Sequence, residues 1–184
     1  MNICTGKGDN GETSDFSGRR LSKNDDIIHL TGALDELNSH LGLIKAMLSN
    51  EKSGCESIEL IQKNVVKLMS HVSDIKNKSR FFSETEITVL ENQINTLTDN
   101  LPKITEFVLP GKNIMEAQIQ IARTAARRAE RYFFAVGEKE LLCREAGVYL
   151  NRLSDYSFVL SQFYAAKLSE SLIDDNFINQ IPRI

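Results

Sequence analysis

The chain has 184 residues, 41% of them hydrophobic and 26% charged, with a formal net charge of -3. That balance suits one soluble domain with a substantial core, and it excludes general affinity for nucleic acid, which wants a basic surface. No apolar run could span a bilayer, the N-terminus MNICTGKGDNG has no apolar signal core, and Cys4, Cys55 and Cys143 form no CxxC pair, so the expectation is a reduced, cytoplasmic protein without a disulfide framework or zinc site.

Residues 1–24 carry Gly6, Gly8, Gly11 and Gly18 and read as a polar loop. Within it, TGKGDNGETS has the character of a phosphate cradle: glycines let backbone N–H groups face phosphate oxygens, and Thr13 and Ser14 add hydroxyl donors. It is not a Walker A motif, because Glu12 follows Gly11 where the P-loop needs lysine. The same composition equally suits a mobile glycine-rich terminus. Lys23, just ahead of the first helix, could reach a phosphate held by this loop, although a lone lysine is ordinarily a solvated one.

From Asp25 onward, Ile27, Leu30, Leu34, Leu37, Leu41, Ile44 and Leu48 recur three and four apart, the mark of a long amphipathic helix. Asp35 lies on the flank of that stripe and calls for a cationic partner, an arginine of the fourth helix from the same or a neighbouring subunit. A second helix is expected from about Cys55 to Ile75. A third starts after Ser83 as N-cap and stops at Pro102. The segment FVLPGKN, residues 107–113, is a turn broken by its Pro-Gly pair. A fourth helix spans about Ile114 to Val136 with Gly137 as its stop, and a fifth runs from near Glu138 to about Leu172. No β-type alternation of useful length occurs. The fold class expected is therefore all-α, a five-helix bundle occupying 25–172 within a single domain of 1–184, with an irregular tail over 173–184.

The fourth helix holds the most unusual stretch, IARTAARRAER. It carries Arg123, Arg127, Arg128 and Arg131 with Glu130 among them, and the three-and-four spacing puts Arg123, Arg127, Glu130 and Arg131 on one side. Such a cluster calls for an anion between the guanidinium groups. The intervening Ala122, Ala125, Ala126 and Ala129 would let another backbone or a flat ligand come close. A solvated basic face, with Glu130 pairing to Arg127, is the competing account.

On the fifth helix, Asn151 and Asp155 stand four apart. The amide could read a nucleobase or ribose edge, or the two side chains could satisfy neighbouring arginines. His29, His40 and His71 do not form a ligand set: Glu36 and His40 are four apart, and only His71 and Asp74 show the three-residue spacing of di-iron bundles. No metal site made of protein side chains alone is expected, and no GxSxG or Cys-His nucleophile motif is present.

In order and spacing, TGKGDNGETS, SKNDD, TGALDELNSHLG, FVLPG, ARTAARRAER and YLNRLSDYSFVL resemble the PduO-type ATP:cob(I)alamin (corrinoid) adenosyltransferases, over residues 3 to about 168. The resemblance implies a homotrimeric five-helix bundle with ATP and corrinoid at subunit interfaces. The implied reaction transfers the 5'-deoxyadenosyl group of ATP to the cobalt of cob(I)alamin and releases triphosphate. Residue by residue, it implies that Thr5, Gly6, Lys7, Gly8, Thr13, Ser14 and Lys23 wrap the triphosphate, which carries Mg²⁺. Arg127, Arg128, Glu130, Arg131 and Asn151 complete the ATP site.

The resemblance further implies that Asp35 and Arg123 bridge neighbouring subunits. It makes Phe107 the cobalamin-binding residue that displaces the lower axial ligand of cob(II)alamin, and Arg127, Asp35 and Phe107 the residues closest to the chemistry. Implied partners are a corrinoid reductase and an adenosylcobalamin-dependent enzyme. The chain departs from the family pattern at Gly6-Lys7, where Arg or Lys and then Thr precede the Gly-Asp of the loop. It departs again at Asp74 to Asn77, and at Lys112 in place of a second glycine. Those departures leave an alternative open, a catalytically weak homologue that binds ATP or adenosylcobalamin as a carrier or regulator.

Overall fold

The computed structural model describes residues 4, 6–15, 17–73, 82–137 and 142–174, with side chains through residue 167. It contains five helices: α1 (Asp26–Met47), α2 (Lys52–Ser73), α3 (Glu84–Asp99), α4 (Ile114–Gly137) and α5 (Arg144–Asp174). Before them a small antiparallel hairpin pairs β1 (Glu12–Ser14) with β2 (Arg20–Ser22), Thr13 opposite Leu21. The hairpin corrects the reading of residues 1–24 as pure loop. Three-residue strands are too short to show alternation, and this pair is held by side chains instead. Arg20 reaches Glu12 at 2.8 Å, and Asp15 accepts from Ser17 Oγ, Arg19 N and Arg19 Nε. Burial works against the Asp15 carboxylate, but those donors outweigh it and hold its pKa below the ordinary value.

Capping accounts for the helix starts. Asp25 accepts from Ile27 N at 3.0 Å at the head of α1, and Ser83 opens α3 in a capping box with Glu86. The end of α3 is earlier than Pro102: Asn100 N and Leu101 N fold back onto Leu97 and Thr98 carbonyls, so the chain has already turned before the proline. Two further boundaries differ from the reading: α2 begins at Lys52, ahead of Cys55, and α5 begins at Arg144, after the non-helical Leu142 and Cys143. The expected α5 start near Glu138 and α2 end at Ile75 fall on residues outside the described ones.

The core is centred on α4, which packs against both α1 and α5, with α2 against α1 and α3 against α5. The apolar stripe of α1 is buried as its spacing predicts. Ala122, Ala125, Ala126 and Ala129 are all buried, so the close approach they permit is between helices of this bundle rather than toward a ligand. Two pairs of buried polar groups join helices: Asn64 donates to Tyr149 at 3.2 Å, and Gln120 to Ser161 at 3.0 Å. Among the described residues no helix is long and apolar enough to cross a membrane.

Two predictions follow from this packing. A methyl group added at Gly147 of α5 would stand 2.8 Å from Cε1 and 3.1 Å from Cδ1 of the buried Phe133 ring on α4. Overpacking of that kind costs about 1–3 kcal/mol, against about 1 kcal/mol gained by replacing a helical glycine. G147A is expected to lose about 1 kcal/mol net, lowering Tm by about 2–4 °C in a thermal melt.

The second concerns His71, buried on α2, whose Nε2 accepts the Cys143 N–H at 3.1 Å and must be unprotonated to do so. Burial pushes its pKa below 6.5. The unfolded chain then binds the His71 proton first as pH falls below that value, so stability is lost progressively on the acid side and is unaffected above it. H71Q is expected to flatten the decline in urea midpoint between neutral pH and about pH 5.5; an unchanged slope would mean that His71 is not its source.

Candidate functional site

The N-terminal loop is built from tight turns. Gly6 and Gly11 sit at φ +67° and +77°, conformations that favour glycine, and carbonyls of Gly6 and Gly8 accept from Asp9 N and Gly11 N. Lys23 N donates to Gly11 O at 2.8 Å, which brings the lysine back over the turn, and a Cβ at Gly8 would meet Lys23 Nζ at 3.3 Å. Gly8 and Lys23 are thus brought together, with exposed Lys7 beside them. Thr13 and Ser14 lie on β1, while Thr5 lies outside the described residues. No described residue other than glycine has a positive φ, so neither Lys7 nor Lys112 stands where only glycine is at ease.

This loop leads through Lys23 into the N-terminal end of α1, where His29 stacks on Tyr132 of α4 with ring centroids 5.3 Å apart. One turn before Tyr132 is the arginine segment, and the helix contacts divide it. Arg127 and Arg131 are exposed; Arg131 Nη1 reaches only the Arg127 carbonyl, and the Arg127 guanidinium has no partner among the described residues. Arg128 turns to α1 and pairs with Glu36. Glu130 turns to α5, accepting from Asn151 Nδ2 at 3.0 Å. The expectation that Glu130 shares the Arg127 face as its partner is therefore corrected. A three-residue step is about 60° short of a full turn, enough to swing Glu130 toward α5, where an amide donor is available.

Asn151 is fixed from both ends, because its Oδ1 accepts from Arg152 Nη1 at 2.8 Å while Arg152 Nε bonds Glu91 of α3 at 2.7 Å. Asp155 is exposed and only 3.8 Å from Arg152. Asp35 and Arg123 do not meet within the chain. Asp35 is exposed and its carboxylate has no partner among the described residues, while Arg123 Nε donates to Gln120 at 2.7 Å. Phe107 is 89% exposed on the loop before α4. From residue 114 to Arg127 is about 20 Å along the helix at 1.5 Å per residue. One chain therefore presents two separate groups along α4, the Phe107 loop leading into its start and Arg127 past its midpoint.

A family model described as cobalamin adenosyltransferase matches residues 3–164 of this chain. The chain belongs to the cobalamin adenosyltransferase family. It is 37% identical over 164 residues to a corrinoid adenosyltransferase from Citrobacter freundii, covering 87% of this chain and 93% of that protein. It is also 33% identical over 166 residues to the corrinoid adenosyltransferase PduO of the same organism, covering 88% of this chain and 49% of that relative, so it spans about half of the PduO protein. Among solved structures, it resembles a variant of a PduO-type ATP:corrinoid adenosyltransferase from Lactobacillus reuteri complexed with cobalamin and ATP. The TM-score is 0.81 at 30% identity, covering 90% of this chain and 96% of that one.

In this member of the cobalamin adenosyltransferase family, several residues beside the site were not singled out from sequence as parts of it. Arg152 orients the Asn151 amide, and Glu36 holds Arg128 while standing 3.9 Å from His40. His40 in turn shares a 2.9 Å hydrogen bond with the buried Gln118 of α4. His40 and Gln118 lie five residues from any residue assigned to the site, while Glu36 and Arg152 are the immediate sequence neighbours of Asp35 and Asn151. That proximity was the available signal.

Proposed function

We propose that this chain is an ATP:corrinoid adenosyltransferase, converting cob(I)alamin and ATP into adenosylcobalamin and triphosphate. The observation that carries the reading is the exposed Arg127 guanidinium, without a partner among the described residues and flanked by Arg128 and Arg131, on the helix whose Tyr132 stacks on His29 of α1, the helix that the glycine loop and Lys23 lead into. Cobalt(I) supplies the electron pair that forms the Co–C5' bond; the C5'–O bond breaks and its pair leaves with the triphosphate. No activated protein nucleophile is needed. The protein's work is to align C5' with cobalt and to stabilise charge growing on the leaving group.

Arg127, Arg131, Lys7 and Lys23 supply that charge, with the backbone of Gly6 and Gly8 and the hydroxyls of Thr5, Thr13 and Ser14 around the phosphates. Arg128, paired to Glu36 through one nitrogen, keeps further N–H donors for a phosphate. Asn151 and Glu130 hold the nucleoside end. Among the described residues no three His, Cys, Asp or Glu side chains gather as a metal cage. Mg²⁺ bound through substrate phosphates and water needs none, so the ion enters this reading with ATP.

The assembly proposed is a homotrimer of single-domain chains in the cytoplasm. Asp35, exposed and without a carboxylate partner among the described residues, supports a bridge to Arg123 of a neighbouring copy, and the separation of the two groups along α4 supports a site completed between subunits. A corrinoid reductase and an adenosylcobalamin-dependent enzyme are the partners this chemistry requires before and after. The test is an anaerobic assay with ATP and chemically reduced cobalamin, following the absorbance change as the cobalt–carbon bond forms. Nucleotide or adenosylcobalamin binding without turnover would overturn the enzyme in favour of a carrier.

A further inference from the structure

The loop that carries Phe107 is held in an unusual way. Residues 102–110 make no hydrogen bond to any described residue, and the segment arches over an open hollow of about 630 Å³ that it lines together with Gln162 of α5. Its first end is fixed by the turn at Asn100 and Leu101. Its other end is fixed by one side chain, Glu116 in the first turn of α4, which is fully buried.

Glu116 Oε2 accepts from Gly111 N at 2.7 Å and from Lys112 N at 3.1 Å. Its own N–H is taken by Asn113 Oδ1 at 2.8 Å, and Asn113 Nδ2 reaches the Tyr164 carbonyl at 3.2 Å. The clamp is thereby tied to α5. Gly111 sits at φ +110°, so the chain direction just after Leu109 and Pro110 depends on a peptide conformation that the carboxylate holds in place. A helix cap alone would need one acceptor. Here the carboxyl group itself is buried, and among the described residues Glu116 Oε1 has no hydrogen-bond partner. Burying a carboxylate with one oxygen unsatisfied is costly unless its other oxygen makes strong, charge-assisted bonds.

We propose that Glu116 is the positioning residue of the corrinoid-facing loop: by clamping the Gly111 and Lys112 peptides it sets where Phe107 and Leu109 stand when the corrinoid is bound. The proposal rests on the adenosyltransferase reading for the loop's task, while the clamp itself is independent of it. Lys112 fits the same device, since the clamp uses its backbone N–H and leaves its side chain in solvent.

The test uses full-length wild type, E116A and E116Q. E116Q keeps the shape and one acceptor but removes the charge. Hydrogen exchange of the free protein is expected to show the Gly111 and Lys112 amides exchanging at least tenfold faster in E116A, with E116Q intermediate. Steady-state kinetics are expected to show a lowered kcat and a weakened affinity for cob(II)alamin at an unchanged KM for ATP, partly restored in E116Q. Unchanged exchange overturns the clamp. Faster exchange with kcat and cob(II)alamin affinity unaltered reduces Glu116 to a helix cap and overturns the positioning role. Should E116A fail to fold, E116Q against wild type decides by the same measurements. Wild-type protein without adenosyl transfer would instead overturn the proposed function, and exchange with cob(II)alamin affinity would still judge Glu116.

Discussion

R127A is expected to lower kcat for adenosyl transfer by about 10²–10³-fold, the scale for losing one preorganised donor to developing negative charge. Stability should be untouched. Arg127 is exposed and its guanidinium has no partner among the described residues, so its removal breaks no contact described there and lies within the about ±0.5 kcal/mol of ordinary surface changes. Removing one of four neighbouring positive charges also relieves repulsion along α4. Kinetics at saturating ATP beside a thermal melt check both halves, and near-normal kcat would mean that the triphosphate lies elsewhere. The comparison with R128A sharpens the result. That change leaves Glu36 without its arginine and removes a tie between α1 and α4, so it should move Tm as well as turnover.

The contrast between those two arginines shows where sequence reading stops. Spacing of apolar residues was enough for five helices, because Ile27, Leu30, Leu34 and their equivalents must share a buried face whatever the neighbours are. Ends were legible where a side chain caps them, as Asp25 and Ser83 do. The end of α3 was misplaced because proline is only a stop of last resort, and the backbone of Asn100 had already turned. The hairpin was missed because its stability comes from ion pairs eight and four residues apart, Arg20 with Glu12 and Arg19 with Asp15, which leave no periodic trace.

The residue types of the proposed site were visible too, as a dense arginine turn and a glycine loop that call for an anion. Their partners were not. Whether Arg128 meets Glu36 and whether Glu130 meets Asn151 depends on how α1 and α5 are rotated against α4, a tertiary quantity. The same is true of Glu116, which reads as an ordinary first-turn acid until its burial is seen.

Phe107 offers the second large effect, and a way to separate binding from reduction. A phenylalanine 89% exposed adds nothing to the core, so F107A should leave Tm within about 1–2 °C of wild type. If the ring takes the place of the lower ligand on the corrinoid, its removal leaves that ligand on cobalt, where its electron density makes the metal harder to reduce. The expected result is a loss in adenosyl transfer of more than about tenfold, or about 1.4 kcal/mol of barrier, when cob(II)alamin and a reductant are supplied. The loss should shrink when pre-reduced cob(I)alamin is used, because the step that depends on the ring has been bypassed. Equal losses from both starting states would assign Phe107 to holding the corrinoid alone, since contact with the bound ring system matters in both assays and the ease of reduction in only one.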